Sequence, residues 1–389
     1  MAPSVYVHIP FCSRRCDYCD FATWTDRDDN VVEYIDTVIR QWEYCSSFND
    51  DSTSQPLTSI FFGGGTPNLI DAGHIARIIE SISTVMNITG ATEITVESNP
   101  DHVTLKKMMT YKEAGVNRIS LGIQSTQNHV LQFLGREHSP KHVKVAREII
   151  SDAGIRNVNA DLIYGAANES MDDWQTTLEE AMTLDLSHIS AYALGIEPGT
   201  PLGRAVASQE KDPTDDDALA DKYELADAVL GANGYEWYEI SNWARQGCES
   251  QHNLAYWRGG DVIALGCAAH GFTRNQRWST PRHIDTYLER FSAQRRPQPL
   301  SWDLFINRDD SESITQDEEE FALKLRTRQG VQWRNNQVSP VLEKFVDEGF
   351  VFFDPVECRV WLSITGRLMA HRVMVDLYEE YEQLTSVVE

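Results

Sequence analysis

The sequence predicts an α/β fold: a partial (β/α)6 barrel followed by a small, mostly helical C-terminal domain. Two observations carry this. Through the first half of the chain, short runs rich in β-branched residues alternate with segments of helical spacing. From about residue 318 the pattern changes to short helices, a hairpin and a long amphipathic helix.

The predicted strands are 5–10, 59–63, 93–98, 118–124, 158–164 and 188–196, and the predicted helices between them are 31–45, 72–86, 105–114, 140–153 and 174–184. Strand then helix, repeated, implies parallel strands joined by right-handed crossovers. Six such units suggest an open barrel rather than a closed eight-stranded one. A doubly wound sheet is the alternative, and periodicity alone does not separate the two. Residues 197–217, rich in Pro, Gly and Asp, read as a loop before a helix at 218–232. Residues 235–273, dense in aromatics and Gly, read as irregular, and 301–320 as an acidic surface connection. Short helices at 321–327 and 341–348, a hairpin at 350–353 and 359–362, and a long helix at 365–381 make a winged-helix-like order without a basic recognition face. The expected domains are therefore the barrel (1–235), an aromatic and Gly-rich segment (236–300) and a C-terminal domain (301–389).

The chain has 389 residues and a net charge of -25, from 59 acidic and 34 basic residues. Such a surface repels a phosphate backbone and argues against nucleic acid as a partner. It equally disfavours docking on an anionic membrane by charge alone. No apolar run is long enough to span a bilayer. Met1-Ala2-Pro3-Ser4 leads straight into a strand pattern with no secretory signal, so the expected location is cytoplasmic. The seven cysteines stand at 12, 16, 19, 45, 248, 267 and 358. An odd count with one tight cluster points to metal ligation rather than a disulfide framework.

That cluster reads His8-Ile9-Pro10-Phe11-Cys12-Ser13-Arg14-Arg15-Cys16-Asp17-Tyr18-Cys19, with C-x3-C-x2-C spacing. Thiolates suit iron–sulfur clusters. A 4Fe–4S cube has four irons, and Cys12, Cys16 and Cys19 supply three ligands. The open iron is left for the amino and carboxylate groups of S-adenosylmethionine (SAM). An electron donor that reduces the cluster lets it pass one electron to the sulfonium, releasing a 5′-deoxyadenosyl radical. A Cys3His zinc site completed by His8 or a distant His is the competing reading, disfavoured because no second C-x2-C pair exists.

Polar residues recur where predicted strands end. Phe61-Phe62-Gly63-Gly64-Gly65-Thr66-Pro67 follows the second strand, Glu97-Ser98-Asn99-Pro100 the third and Gly122-Ile123-Gln124 the fourth, and Asp161 lies in the fifth. Barrel strands converge at those ends. Glycines admit close backbone approach to a ligand. Glu97, Gln124 and Asp161 offer acceptors to ribose hydroxyls, and Arg136 a partner for the SAM carboxylate.

Together, Tyr6-x-His8-Ile9-Pro10-Phe11-Cys12, the cysteine spacing, Gly-Gly-Gly-Thr-Pro, Glu-x-x-Pro, Gly-Ile-Gln and Asp-Leu-Ile at 161–163 resemble the coproporphyrinogen dehydrogenase-like branch of the radical SAM enzymes. The resemblance spans nearly the whole chain and implies a radical SAM, TIM-like partial barrel. By motif match it places SAM contacts on Tyr6, Tyr18, Gly64, Gly65, Thr66, Glu97, Gln124, Arg136, Asp161 and Ala193.

This branch includes an oxygen-independent coproporphyrinogen III oxidase, which decarboxylates two propionates to give protoporphyrinogen IX, and a heme chaperone, which binds heme and hands it to acceptor proteins. The chain is similar to the chaperone type in three ways. Asp20-Phe21 stands where oxidases usually carry another Cys. Only eleven residues precede Cys12, where oxidases have a long N-terminal arm. His252-Asn253-Leu254-Ala255-Tyr256-Trp257 matches the chaperones' H-N-x-x-Y-W. The resemblance thus implies heme as ligand and heme-accepting proteins as partners, with His252 as axial ligand and Tyr256 and Trp257 against the porphyrin. From the residues alone, a packed loop with His252 as a cap is an equal alternative. Gly266-Cys267-Ala268-Ala269-His270-Gly271 departs from the glycine-richer pattern expected there and leaves the roles of Cys267 and His270 open: Cys267 is a thiolate heme ligand or a small buried residue, the latter favoured.

Overall fold

The computed structural model describes residues 2–46, 56–273, 276–292, 316–333 and 339–386. Strands β1 (Ser4–Ile9), β2 (Ser59–Gly64), β3 (Glu93–Ser98), β4 (Arg118–Gln124), β5 (Asn157–Tyr164) and β6 (His188–Ala193) lie side by side in chain order, all parallel. Helices Val31–Ser46, Ala72–Ser83, Leu105–Glu113, Pro140–Asp152 and Met171–Met182 connect them.

Strand alternation separates two faces. Val5, Val7, Ile9, Ile60, Phe62, Val96, Ile119, Leu121 and Ile123 join the main apolar core. Their neighbours Tyr6, His8, Glu97, Ser120, Gly122, Gln124 and Asp161 line cavities on the other side. The site is therefore built from the strand positions that the core does not use.

Caps account for shifted helix starts. Ser170 and Asp173 form a reciprocal capping box, which begins that helix at Met171 rather than 174. Asp215 accepts from the Ala218 N–H, so the helix predicted at 218–232 spans Asp216–Ala232. The stretch read as a loop at 197–217 also contains a helix, Pro201–Ala207, capped by Thr200 with Pro201 in its first turn. It has only seven residues, too few to show a period.

The larger correction concerns 235–273. It is not irregular. β7 (Glu236–Glu239) and β8 (Asn242–Ala244) extend the sheet antiparallel beyond β6. Helix Gln251–Trp257 follows. Then β9 (Val262–Leu265) pairs parallel with β1 at the opposite edge, and β10 (His270–Thr273) and β11 (Gln276–Ser279) continue from it antiparallel. The result is an 11-stranded, mostly parallel sheet in the order β11-β10-β9-β1-β2-β3-β4-β5-β6-β8-β7.

The C-terminal part has its own core, including Phe321, Leu325, Trp333, Leu342, Phe345, Val360 and Leu377. Helices Gln316–Leu325 and Pro340–Asp347 pack with a three-stranded antiparallel sheet of β12 (Val331–Gln332), β13 (Val351–Asp354) and β14 (Arg359–Leu362), in the order β12-β14-β13. The single helix predicted at 365–381 is two, Ile364–Leu368 and Ala370–Ser386. Of the predicted acidic connection, 301–315 lies outside the described residues, and 316–320 is the start of a helix. Among the described residues, no helix is long and apolar enough to cross a membrane.

Candidate functional site

The loop after β1 carries Cys12, Cys16 and Cys19 to the rim of a cavity of about 370 Å³ at the strand ends. Its fold is set by the backbone. Cys12 N–H donates to Trp24 O, Trp24 N–H to Pro10 O and Asp17 N–H to Leu134 O. Two sulfurs accept hydrogen bonds: Cys12 Sγ from Thr66 Oγ1 at 3.6 Å, and Cys16 Sγ from Arg136 Nη1 at 3.4 Å. Burial pushes the Cys12 thiol up to about 11, opposed by the Thr66 hydrogen bond, and raises Cys19 as well. A bound cation overrides that cost, because it binds only the deprotonated sulfur. Among the described residues, no group of three or more His, Cys, Asp or Glu side chains converges on a single ion. A cube spreads its three thiolates over three irons and needs no such point.

The rest of the cavity wall fits a polar ligand with several hydroxyl and charged groups. Gly64 has φ 111°, and a Cβ there would lie 2.3 Å from His8 Cε1. A Cβ on Gly65 would meet the carbonyl oxygens of Ile9 and Phe11 at 2.8 Å. Both glycines keep the β2 turn pressed against the cysteine loop. Ser98 Oγ is buried in this wall with no partner, a group that calls for a ligand or water. Gln124 takes a left-handed φ of 63° at a register shift that ends β4. Such strain at a cavity wall is a mark of functional sites. Asp161 accepts from Ser120 Oγ and Asn159 Nδ2, both at 2.8 Å, which orients its carboxylate. Glu97 accepts from the Gly64 N–H at 3.1 Å. Its burial, and then the charge of Asp161, push its carboxyl up to about 8.

Of the residues named from sequence, Tyr18, Gly64, Gly65, Thr66, Glu97, Gln124, Arg136, Asp161 and Ala193 gather around this first cavity with the cysteines. Arg136 also donates to Asn99 Oδ1 at 2.7 Å and Gly122 O at 3.2 Å. Its guanidinium thus braces the cysteine loop against β3 and β4, a role the sequence did not suggest.

Tyr6 and His252 stand instead in a second cavity, of about 620 Å³, which shares Phe21, Gly64, Glu97 and Tyr192 with the first. His8, Glu239, Asn242, Tyr256, Trp257, His270 and Arg282 also line it. His8 has both ring nitrogens engaged, with Tyr6 Oη at 3.2 Å and Ala22 O at 3.0 Å, and so is no metal ligand. His252 differs. Ser59 Oγ donates its one proton to Ser4 Oγ at 2.9 Å, so at 2.9 Å it can only accept from His252 Nδ1–H. Burial, and then the charge of Arg118, hold the imidazole neutral down to about pH 3. Nε2 therefore keeps its lone pair and has no partner among the described residues. Phe61 stacks on the ring at 4.9 Å.

The sequence reading missed Glu239, Asn99 and Asn242. Glu239 is buried, its Oε1 has no hydrogen-bond partner among the described residues, and burial pushes it up to about 8 against hydrogen bonds from Ser241 and Trp257. An acid among aromatics in Tyr235-Glu236-Trp237-Tyr238-Glu239 was the available signal. Cys267 is fully buried in the core, takes a hydrogen bond from Tyr34 Oη at 3.6 Å and lines neither cavity, which settles it as a packing residue.

Residues 6–181 match the radical SAM superfamily. The heme chaperone HemW of Mycobacterium tuberculosis H37Rv is 36% identical over 334 residues, covering 84% of this chain and 82% of that protein. The heme chaperone HemW of Bacillus subtilis is 30% identical over 384 residues, covering 95% of this chain and 97% of that protein. The chain belongs to the HemW family. Membership of the superfamily implies SAM and a 4Fe–4S cluster. The fold of this HemW-family chain also resembles that of coproporphyrinogen III oxidase (HemN) from Escherichia coli, with a TM-score of 0.77, 18% identity, and coverage of 96% of this chain and 89% of that one. At that identity the likeness speaks for fold alone.

Proposed function

We propose that this chain is a heme chaperone. Heme binds in the second cavity with His252 Nε2 on the iron, and passes from there to acceptor proteins. The observation that carries the reading is the His252–Ser59–Ser4 chain of hydrogen bonds, which leaves one imidazole nitrogen unprotonated and facing a cavity walled by Tyr256 and Trp257. A second-sphere hydrogen bond at one ring nitrogen orients the other toward a metal. Relatives named as heme chaperones along nearly the full length support the same reading.

We assign the cluster to Cys12, Cys16 and Cys19. SAM falls to the first-cavity residues Tyr18, Gly64, Gly65, Thr66, Glu97, Gln124, Arg136, Asp161 and Ala193, with Tyr6 in the adjoining second cavity. When bound, the cluster and SAM supply one-electron chemistry. Thr66 donates to Cys12 Sγ and Arg136 to Cys16 Sγ, Gly64 and Gly65 let the β2 turn pack against the cysteine loop, and Glu97 and Asp161 would take ribose hydroxyls. Phe21, at the mouth both cavities share, puts an apolar edge where a further thiol would stand in the oxidase pattern. The cytoplasm, which keeps such thiols reduced, is the proposed place of action.

The test is hemin titration of the anaerobically reconstituted protein, alongside a coproporphyrinogen III turnover assay. Wild type is expected to bind hemin, and His252→Ala to bind it at least tenfold more weakly while keeping the cluster absorption. Cys12→Ala, Cys16→Ala or Cys19→Ala is expected to abolish the cluster. Steady protoporphyrinogen IX formation with SAM consumed in step would overturn the chaperone reading.

A further inference from the structure

The second cavity holds another imidazole that ligation by His252 leaves unused. His270 opens β10 and is exposed on the cavity wall. Neither of its ring nitrogens has a partner among the described residues. Of the cavity's other candidate iron ligands, His8 has both nitrogens engaged and the Tyr6 hydroxyl is bonded to His8. Among the described residues, no cysteine lines the cavity. His252 and His270 are thus the imidazoles with a free nitrogen there, and they come from different elements: the helix over β2 and the first residue of β10.

The segment that carries His270 is held more firmly than a surface strand needs. Each amide from 266 to 269 is satisfied by a partner from elsewhere. Gly266 N–H donates to Gln41 Oε1 at 2.9 Å, Cys267 N–H to Tyr34 Oη at 2.9 Å, Ala268 N–H to Pro281 O at 3.0 Å and Ala269 N–H to Thr280 Oγ1 at 2.9 Å. Gly266 has φ 93°, and a Cβ there would meet His8 O and Tyr34 Oη, each at 2.5 Å. Ala268, a non-glycine on the cavity wall, is held at φ 54°. A left-handed alanine persists only where its surroundings over-determine it. The tight turn delivers His270 to the cavity at a fixed place, as a ligand-bearing element requires and a solvated surface residue does not.

The geometry points to His270 as the second axial ligand of the bound heme, opposite His252. This rests on the heme reading of the same cavity. Ferric heme with two imidazoles is six-coordinate and low-spin, and with one imidazole it is five-coordinate or water-ligated and high-spin. Ligation adds a bond from nitrogen to iron and requires no redox partner. Arg282, on the same cavity wall beyond β11 and bonded to Asp20 O at 3.1 Å, offers a guanidinium to a propionate.

The test uses the full chain and hemin, read by absorption and by electron paramagnetic resonance. Wild type is expected to give a low-spin signal. His270→Ala is expected to retain heme, lose the low-spin signal in favour of a high-spin one, and regain it on addition of free imidazole. His270 is exposed, so this variant keeps the fold, and its circular dichroism and cluster absorption check that. A wild-type low-spin spectrum unchanged in His270→Ala, or a high-spin wild type, overturns the assignment and leaves heme binding standing. Failure of wild type to bind hemin overturns the heme reading and this assignment together.

Discussion

Buried carboxyls and buried imidazoles set how the apo-protein responds to pH: burial raises Glu97, Glu239, Asp161 and Glu169, and lowers His8, His138, His188 and His252. Burial pushes Glu97 and Glu239 up to about 8 from an ordinary 4.5. The native state keeps those protons while the unfolded chain releases them, so stability is lost as pH rises from about 4.5 to 8. Burial pushes His8 and His138 down to about 4 and His252 to about 3, from an ordinary 6.5. There the unfolded chain takes up protons that the native state refuses, so stability is lost as pH falls below about 6.5. The two trends oppose each other between 4.5 and 6.5, and the carboxyls act alone above. Ligand-free protein is therefore expected to unfold at lower urea at pH 8 than at pH 6.5. The Glu97→Gln, Glu239→Gln double variant should show a smaller difference, with Asp161 and Glu169 keeping the rest, and an unchanged one would contradict burial of Glu97 and Glu239 as a cause. Arg136 makes a second prediction at this scale. Its charge stands 3.4 Å from the Cys16 sulfur, so Arg136→Ala removes a positive charge from the cluster's surroundings. Cluster potential follows local charge and hydrogen bonds to sulfur. The variant is expected to hold a cluster with a more negative midpoint, read by redox titration. A midpoint equal to wild type would show that the contact does not reach the cluster.

At the scale of elements, the loop that follows β5 depends on a helix outside the six-unit pattern. Lys222, in helix Asp216–Ala232, donates from Nζ to Glu169 Oε2 at 2.9 Å and to Glu169 O at 2.6 Å. Gly165 N–H donates to the same Glu169 oxygen at 2.7 Å. The lysine is 4% exposed at its side chain and the glutamate 0%. Removing one partner of such a pair leaves a buried charge alone, which costs about 3–5 kcal/mol. Lys222→Met should lower stability by that order and loosen the loop above the Ile163–Leu194 wall of the first cavity. Lys222→Met with Glu169→Leu should recover most of the loss. A double variant no better than the single would show that the pair gives net stabilisation rather than relief of a charge. What the sequence showed at this scale follows from length and locality. The six parallel strands are six to eight residues long, apolar and mostly rich in β-branched residues, and each lies next to its helix in the chain, so pattern alone located them. β7 to β11 have three or four residues each and join the sheet through β8 on β6 and β9 on β1, at opposite edges, which no local period records. The same cause splits the site in the sequence. The cysteines and strand-end polar residues of the first cavity were legible from their place after each strand. The grouping of His252, His270 and Glu239 was not, because it appears only when β7–β10 reach opposite edges of one sheet.

In the whole molecule, the large sheet and the C-terminal part each have their own core, and Ile364 and Leu368 of the C-terminal part pack against the larger one. Arg367, buried at 9% exposure, is the principal hook. Its guanidinium lies 4.3 Å from the Trp237 ring centroid and donates to Asp227 Oδ1 at 2.8 Å and Tyr223 Oη at 3.3 Å. Around it, Arg328 N–H donates to Tyr238 O, Glu239 bridges to Thr327, and Arg277 pairs with Glu319. Trp237 and Tyr238 belong to β7, the strand that ends in the second-cavity residue Glu239. Among the described residues, the C-terminal part therefore backs the second cavity without lining it, and the first cavity adjoins that one at the C-terminal ends of β1 to β6. Arg367→Ala leaves Asp227 and the Trp237 face without their cation, at a cost of about 2–4 kcal/mol for a buried, hydrogen-bonded charge. Because each part has its own core, the loss should uncouple them rather than unfold them. Limited proteolysis is expected to release the C-terminal part from Arg367→Ala well before wild type, with cluster content and SAM affinity unchanged. Hemin affinity should fall as well, since β7 loses its support. Digestion at the wild-type rate would show that the other contacts suffice. A simultaneous loss of the cluster would show that the two cores fold as one.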